Sequence, residues 1–390
     1  MKIKDLKIYH IQAGWRPWSF LKVTTNNGLI GWSECTDSHD TRNGIEGVIK
    51  DLKKIIINED PRNISKILWL LKARTRLSSG SIVQKVIGAI DNALWDIVGK
   101  STQNSVTNLL GGQVRDKVEV YWSHCGTTRV RAHEHVKKKQ IKDIYDLREF
   151  GKEIKKTKVK IVKTNIGLFD GKPTIYMPGN NKSIGGPELN CSDKILDGVE
   201  KWVKAFKSSI NPNANLAIDL NFNFKQDGFI KIGRLLDKYK LAWLEIDSHS
   251  PQVLKNIKDA VKTPILSGES LYGAKAYKPF LDAGALDYLS LDVIWNGISE
   301  SKKIADLSDL YEINVSPHNY NGHLSTFINM SLALSTPNLY ISEIDYDDVP
   351  WIDKIFSNKP KIKDGFFIPD NKPGWGCDII EKNLLKYLIK

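Results

Sequence analysis

The sequence predicts an α+β domain followed by a parallel α/β barrel, and three observations predict it. Between residues 215 and 345 a strand-like apolar run ends in an acid or a histidine six times. NLAIDLN ends near Asp219, LAWLEID near Glu245, TPILSGES near Glu269, LDYLSLDV near Asp292, INVSPH near His318 and NLYISEID near Glu343. These residues lie 23 to 26 positions apart, about the length of one strand, one turn, one helix and one return loop. Each sits at the C-terminal end of its run, and in a parallel barrel those ends share the face where catalytic groups collect. Second, residues 1–115 read as strands and then helices without alternation, the mark of a separate α+β unit. Third, 390 residues exceed one simple core.

Taken in order, KIKDLKIYHI and FLKVTTNNGLIGWSEC alternate like an antiparallel hairpin with an NNG turn in the second half. The QAGWRPWS between them reads as a polar-aromatic loop. Residues 43–110 read as helices, and the last long one carries Val86, Ile87, Ile90, Leu94 and Ile97 at the spacing of a buried stripe. LLGGQ ends this block on helix-stopping glycines. VEVYWSHC and VKIVKTNIG are the first two barrel strands. The Gly/Pro/Asn-rich DGKPTIYMPGNNKSIGGPELN that follows is expected to form a long loop over the top face. Residues 344–390 break the rhythm with DDVPW, KDGFFIPD and KPGWG, so the tail is expected to leave the barrel and return to the first domain.

Hydrophobic residues make up 41% and charged ones 26%, the balance of a soluble globular protein. No apolar run approaches the ~18 residues that span a bilayer, and MKIKDLKIYH lacks a secretory core. A cytoplasmic location is therefore the default expectation. The four cysteines form no CxxC pair, which argues against a disulfide framework or a thiolate zinc site. A net charge of +12 admits nucleic acid in principle. The lysines are nevertheless spread along the chain, dense only at VKKKQIK and KKTKVK, and read as a solvated surface that attracts anionic substrates. Neither nucleic acid nor membrane is an expected partner.

Three carboxylates at adjacent strand ends, Asp219, Glu245 and Glu269, repel one another unless a cation lies between them. A hard divalent ion with oxygen ligands and open positions describes Mg²⁺; the plainer alternative is that each acid caps a following helix. Asp292 and His318 come from the next two strand ends, and a carboxylate beside an imidazole makes a competent general base. Read alone in the turn-like SPHNYNGH, His318 is better taken as a polar loop histidine. Lys163 has apolar neighbours near the end of the second strand; buried, it moves protons or stabilises an oxyanion, and otherwise it is one more lysine in a lysine-rich segment.

Together GWSEC, IDNALWDIVGKSTQNSVTNLLGG, VKTNIG, AIDLN, WLEID, SGES, SLDV, SPHN, DDVPW and PGWG make the chain resemble, end to end, the enolase superfamily in its mandelate racemase-like group of acid sugar dehydratases. The resemblance implies an α+β capping domain, residues 1–115 completed by 344–390, over a modified TIM barrel of (β/α)7β type, residues 116–343. It also implies Mg²⁺-assisted removal of the proton α to a carboxylate. By position it makes Asp219, Glu245 and Glu269 metal ligands, His318 and Asp292 the base dyad, and Lys163 the first lysine of the KxK motif. Glu343 becomes the acid that hydrogen-bonds the substrate carboxylate, which requires it to hold or share a proton. Asn221 falls at the Asn of the DxN pattern. Two departures stand out: Asn165 replaces the second lysine, and Glu245-Ile246-Asp247 stands where many relatives have Glu-Glu-Pro.

Losing the second lysine removes one partner of a two-base proton transfer, whereas dehydration survives it. The expected activity is therefore a Mg²⁺-dependent hydro-lyase that converts an acid sugar to its 2-keto-3-deoxy product. A racemase, epimerase or cycloisomerase is the alternative on the same scaffold, and a non-catalytic binding protein the alternative from another class. In this family loops of the first domain read the distal end of the substrate. Trp15, Arg16, Trp18, His39 and Arg42 lie in the two segments concerned, with Arg16, His39 and Arg42 as candidate substrate contacts alongside Asn165 and Asn221. His124, His133 and His135 are lesser candidates. The protein is expected to form a homo-oligomer.

Overall fold

The structure, a computed structural model, describes residues 1–389 apart from 38–40, 171 and 180–184. The N-terminal part is a three-stranded antiparallel sheet of β1 (Ile3–Ala13), β2 (Arg16–Thr25) and β3 (Ile30–Glu34). The β1–β2 ladder runs on to pair Gln12 with Pro17 and Ala13 with Arg16. The expected QAGWRPWS loop therefore shrinks to Gly14 and Trp15, with Gly14 turning at φ +71. Arg16 and Trp18 are strand residues, and Trp18 is fully buried.

Helices α1 (Arg42–Ile56), α2 (Ile64–Arg74) and α3 (Ser81–Thr102) pack on this sheet, followed by the short α4 (Val106–Leu109). The α3 stripe of Val86, Ile87, Ile90, Leu94 and Ile97 is buried as its spacing predicts. Two close approaches fix the helix from opposite sides. A Cβ on Gly31 of β3 would collide with the Ala93 carbonyl. A Cβ on Gly88 would lie 2.7 Å from both Gly297 N and Trp295 O, in the segment after a barrel strand. Any side chain at Gly88 would push the helix off the barrel.

The barrel alternates strand and helix. β4 (Val118–Trp122) is followed by α5 (Thr127–Arg131), α6 (His133–Val136) and α7 (Ile144–Thr157); β5 (Ile161–Asn165) leads into a hairpin, β6 (Gly167–Asp170) and β7 (Lys172–Ile175), and then α8 (Asp193–Ser209). The remaining units are β8 (Asn215–Asn221) with α9 (Gln226–Leu236), β9 (Leu244–Ile246) with α10 (Pro251–Ala260), and β10 (Ile265–Ser267) with α11 (Ala274–Asp282). β11 (Tyr288–Asp292) precedes α12 (Val293–Asn296) and α13 (Ile298–Asp309); β12 (Asn314–His318) precedes α14 (His323–Ser335), and β13 (Ser342–Ile344) is last. The strands pair in parallel in that order, β13 pairs with β4, and Val315 bonds the backbone of Asn338 and Tyr340 just ahead of β13. The parallel strands thus close into a barrel. The insertion after β5 is in part a hairpin rather than the expected featureless loop, and residues 180–184 within it lie outside the described residues.

Tyr121, Ala217, Trp243, Leu266 and Ile341 form a small core distinct from the one between strands and helices. Tyr121 meets Trp243 edge to face at 5.1 Å, the packing that aromatic quadrupoles favour. Lys163 Nζ lies 5.6 Å from the Tyr121 ring. Past β13 the chain touches both domains. Val106 N–H donates to Gly374 O at 3.0 Å, Lys100 pairs with Asp378, and Leu388 bridges to Ile11. The tail also forms β14 (Ile362–Lys363) and β15 (Phe366–Phe367), and β15 adds antiparallel to β4.

Candidate active site

Strand register brings the candidate residues together. Asn165 lies opposite Asp219 across β5 and β8, Asp219 opposite Glu245 across β8 and β9, and Asp292 opposite His318 across β11 and β12. Asn165, Asp219 and His318 open toward a cavity of about 700 Å³ between barrel and cap, lined also by Lys163 and Glu269, while Glu245 and Asp292 lie behind its wall. Parallel pairing carries one strand end after another to the same face, so the spacing of the acids along the chain becomes adjacency in space.

His318 Nδ1 is 2.8 Å from Asp292 Oδ2, and its Nε2 is 3.4 Å from Glu269 Oε2. Asp292 also accepts the Trp295 N–H at 2.8 Å, capping α12, so one carboxylate fixes both the imidazole and the turn behind it. The Trp295 ring lies 5.5 Å from that of His318. Burial works against protonating His318, but Glu269, Glu343 and Asp292 outweigh it and raise the imidazole above its usual range.

Lys163 is buried and its Nζ bridges two carboxylates, Glu245 Oε2 at 2.8 Å and Glu343 Oε1 at 2.9 Å. Burial lowers its proton affinity, yet those carboxylates more than restore it, so Lys163 is an ammonium. The depressed lysine pKa expected from burial alone is therefore reversed. The same pairing bears on Glu343: burial pushes its carboxyl up, but Lys163, His318 and His124 hold it below the ordinary carboxylate range. Glu343 also accepts the Asn319 N–H at 2.7 Å.

Asp219, Glu245 and Glu269 are all raised, first by burial and then by neighbouring carboxylates: Glu343 on Asp219, Asp219 and Glu269 on Glu245, and Asp247 and Asp219 on Glu269, which is pushed up to about 8. Their donor chemistry, oxygen throughout on three neighbouring strands, fits a hard divalent cation, and such a cation relieves the repulsion that raises them. In the arrangement seen, Lys163 occupies Glu245 and the Asn165 amide donates to Asp219 Oδ2 at 2.9 Å. No three His, Cys, Asp or Glu side chains among the described residues converge closely enough to hold an ion without a shift of these partners. The Asn221 backbone N–H donates to Asp219 Oδ1 at 2.9 Å from a left-handed φ of +47.

The other expected residues divide. Arg16 lines the cavity, but its guanidinium is paired with Asp348 at 2.9 Å and stacked between the rings of Trp15 (4.3 Å) and Tyr320 (4.2 Å). Trp18 is buried in β2 rather than in a loop and does not line the cavity, a correction that follows from the short β1–β2 turn, and Arg42 opens α1. His39 lies outside the described residues. His133 and His135 sit on α6 without a third ligand among the described residues, so the HxH spacing is no metal site. His124, expected as a minor candidate, lines the cavity, and burial first, then Arg131 and Lys163, depress its imidazole.

Sequence reasoning missed several lining residues. Asp247, noted only as a departure from Glu-Glu-Pro, is buried, accepts Ser270 Oγ at 3.1 Å and is raised to about 7 by burial and then by Asp219 and Glu245. Lys85 is buried on the cap helix, ion-paired with Asp37, with Nζ 4.0 Å from the Trp295 ring. The available signal was a lysine in the otherwise apolar IVQKVIGAI. Arg131 and Tyr320 also line the cavity.

Residues 148–383 match the family described as enolase C-terminal domain-like, and residues 10–111 match the mandelate racemase / muconate lactonizing enzyme N-terminal domain. The chain belongs to the enolase superfamily. It is an enzyme of the mandelate racemase-like group, with a capping domain on a (β/α)7β barrel. Among solved structures, one from Burkholderia xenovorans strain LB400, named as a candidate L-alanine-DL-glutamate epimerase, is 36% identical with a TM-score of 0.97, covering 100% of this chain and 99% of that one. A second structure of that name from the same strain, 37% identical with a TM-score of 0.96, covers 100% and 96% and is bound to magnesium and fumarate. A D-galactonate dehydratase family member from Streptomyces bingchenggensis is 25% identical over 93% of this chain and 87% of its own length. A D-xylonate dehydratase from Haloferax volcanii is 24% identical over 98% and 90%. No helix among the described residues is long and apolar enough to cross a membrane.

Proposed function

We propose that the protein is a Mg²⁺-dependent acid sugar dehydratase. The observation that carries this reading is asymmetry: one side of the cavity has the His318–Asp292 dyad at 2.8 Å, while the opposing position is Asn165, which cannot take a proton and instead bonds Asp219. Elimination needs one base; inversion at carbon needs two. The dehydratase names of two relatives point the same way.

Asp219, Glu245 and Glu269 would hold the metal. Bound there, Mg²⁺ stabilises negative charge on the substrate carboxylate as the α-proton leaves. Engaged with a cation, Glu269 no longer favours the imidazolium form, and neutral His318 takes the α-proton, with Asp292 fixing its tautomer. The C–H electron pair passes into an enediolate, and the Lys163 ammonium screens Glu343 from it. Collapse of the enediolate expels the β-hydroxyl, which leaves as water with the proton His318 has taken. The resulting enol tautomerises to the 2-keto-3-deoxy acid.

Incubating the Mg²⁺-loaded enzyme with a panel of mono- and di-acid sugars and assaying 2-keto product tests the proposal; no product from any of them overturns it. The second reading is an epimerase, favoured by the name of the 36% identical structure. It requires Lys163 to leave Glu245 and Glu343 and serve as the second base. Recovery from D₂O of α-deuterated substrate of inverted configuration, with no water lost, would establish it.

A further inference from the structure

Four cationic side chains line the cavity: Arg16, Lys85, Arg131 and Lys163. Three have carboxylate partners: Arg16 has Asp348, Lys85 has Asp37, and Lys163 has Glu245 and Glu343. Arg131 has none among the described residues. Its Nη1 donates to Met177 Sδ at 3.1 Å and its Nη2 to the Tyr320 hydroxyl oxygen at 3.2 Å. Arg131 is exposed at the rim of the cavity, and among the described residues its guanidinium meets only these two neutral groups.

The Tyr320 oxygen also accepts the Trp15 Nε1–H at 2.7 Å. Indole and guanidinium nitrogens are donors only. With both of them pointing at its oxygen, Tyr320 uses its lone pairs, and its own O–H is not spent on either neighbour. The ring of Tyr320 stacks on His124 at 3.9 Å between centroids, and His124 Nδ1 is 2.9 Å from Ser123 Oγ, next to the Glu343 end of the reaction centre. The hydroxyl and the guanidinium thus stand one aromatic ring beyond that end, toward the cap.

We infer that Arg131 and Tyr320 form a subsite for a second carboxylate, which makes the preferred substrate a sugar diacid rather than an aldonate. This rests on the proposed proton abstraction in placing the first carboxylate near Lys163. A guanidinium and a hydroxyl donor offer a planar carboxylate two directed hydrogen bonds and one positive charge. A phosphate dianion would leave charge uncompensated, because the neighbouring cations are already paired.

The test compares matched pairs that differ only at the distal carbon, such as galactarate with galactonate and glucarate with gluconate, across the C4 to C6 configurations, with 6-phosphogluconate as a third arm. Turnover and calorimetric binding are both measured on the Mg²⁺-loaded enzyme. The diacid of the best pair is expected to be favoured about ten- to a hundredfold. Arg131→Ala should erase that preference through KM or Kd, Arg131→Lys should restore part of it, and Tyr320→Phe should reduce it, all at unchanged melting temperature. If no acid sugar is turned over, the proposed reaction fails, and the binding arm still decides the subsite. Equal affinity for diacid and monoacid, tighter binding of the phosphate, or a preference that survives Arg131→Ala would overturn the inference.

Discussion

Asn165 donates its side-chain amide to Asp219 Oδ2 at 2.9 Å from the directly opposed position on the neighbouring strand. The residue that replaces a base has become a support for a carboxylate, stabilising its charged form. Asn165→Ala removes one hydrogen bond to a buried charge, worth about 1.5–3 kcal/mol. Asp219 then favours its protonated form, and Mg²⁺ affinity is expected to fall by at least about tenfold in a calorimetric titration at pH 7. Unchanged affinity would show that the Asn165 amide does not support Asp219 as a metal ligand.

His318→Asn is expected to abolish α-proton exchange with D₂O, and Asp292→Asn to slow it by about 10²–10⁴-fold. The two variants act on one unit, so the double variant should be no slower than His318→Asn. An Asp292→Asn enzyme with full exchange would show that the 2.8 Å contact does not orient the imidazole.

Burial and the charge of neighbouring carboxylates raise Asp219, Glu245 and Glu269. A cation bound by the folded state alone stabilises it by about 2.7 kcal/mol at a hundred times its dissociation constant. Mg²⁺ should therefore raise the melting temperature and EDTA reverse the gain. In Glu269→Ala the metal-dependent shift should shrink to near zero; a full shift would exclude Glu269 as a ligand.

Asp91, fully buried on α3, is raised to about 6 by burial, against hydrogen bonds from Ser299 N at 2.8 Å and Ser299 Oγ at 2.7 Å. An acid with a folded pKa above its unfolded one costs nothing while both states are protonated. As pH climbs from about 4 to 6 the unfolded state releases its proton first, and stability falls by at most about 3 kcal/mol. Asp91→Asn can satisfy both Ser299 contacts without a charge. Its stability relative to wild type should rise between pH 4 and 7 in urea midpoints, and a pH-independent difference would refute the assignment.

Gly88→Ala places a Cβ against Gly297 N and Trp295 O. It should cost about 1–3 kcal/mol and slow α-proton exchange, because Trp295 backs His318. Wild-type exchange in a destabilised variant would separate the joint from the site.

The barrel was legible because its signal is local and repeated: each βα unit writes an apolar run, a polar terminus and a helix into consecutive residues. The candidate metal carboxylates and the base residues were legible for the same reason, since each ends such a run. What escaped notice depends on distant partners. The turn at Gly14 and Trp15 is set by the far reach of the β1–β2 ladder, which no window of QAGWRPWS reveals. The ion pair that lowers Glu343 joins it to Lys163, 180 positions earlier in the chain. Lys85 looks like an ordinary helix lysine until Asp37 and Trp295 close around it. Arg131 and Tyr320 meet only because the first and seventh barrel strands release their chains onto the same rim.

The clasp that α3 makes, with Gly31 of the sheet on one side and Gly297 of the barrel on the other, leaves no slack at the joint. An added side chain at Gly31 would wedge the helix from the sheet, and one at Gly88 or Gly297 would wedge it from the barrel. The positions that hold cap and barrel in register over the cavity are thus ones that carry no side chain at all.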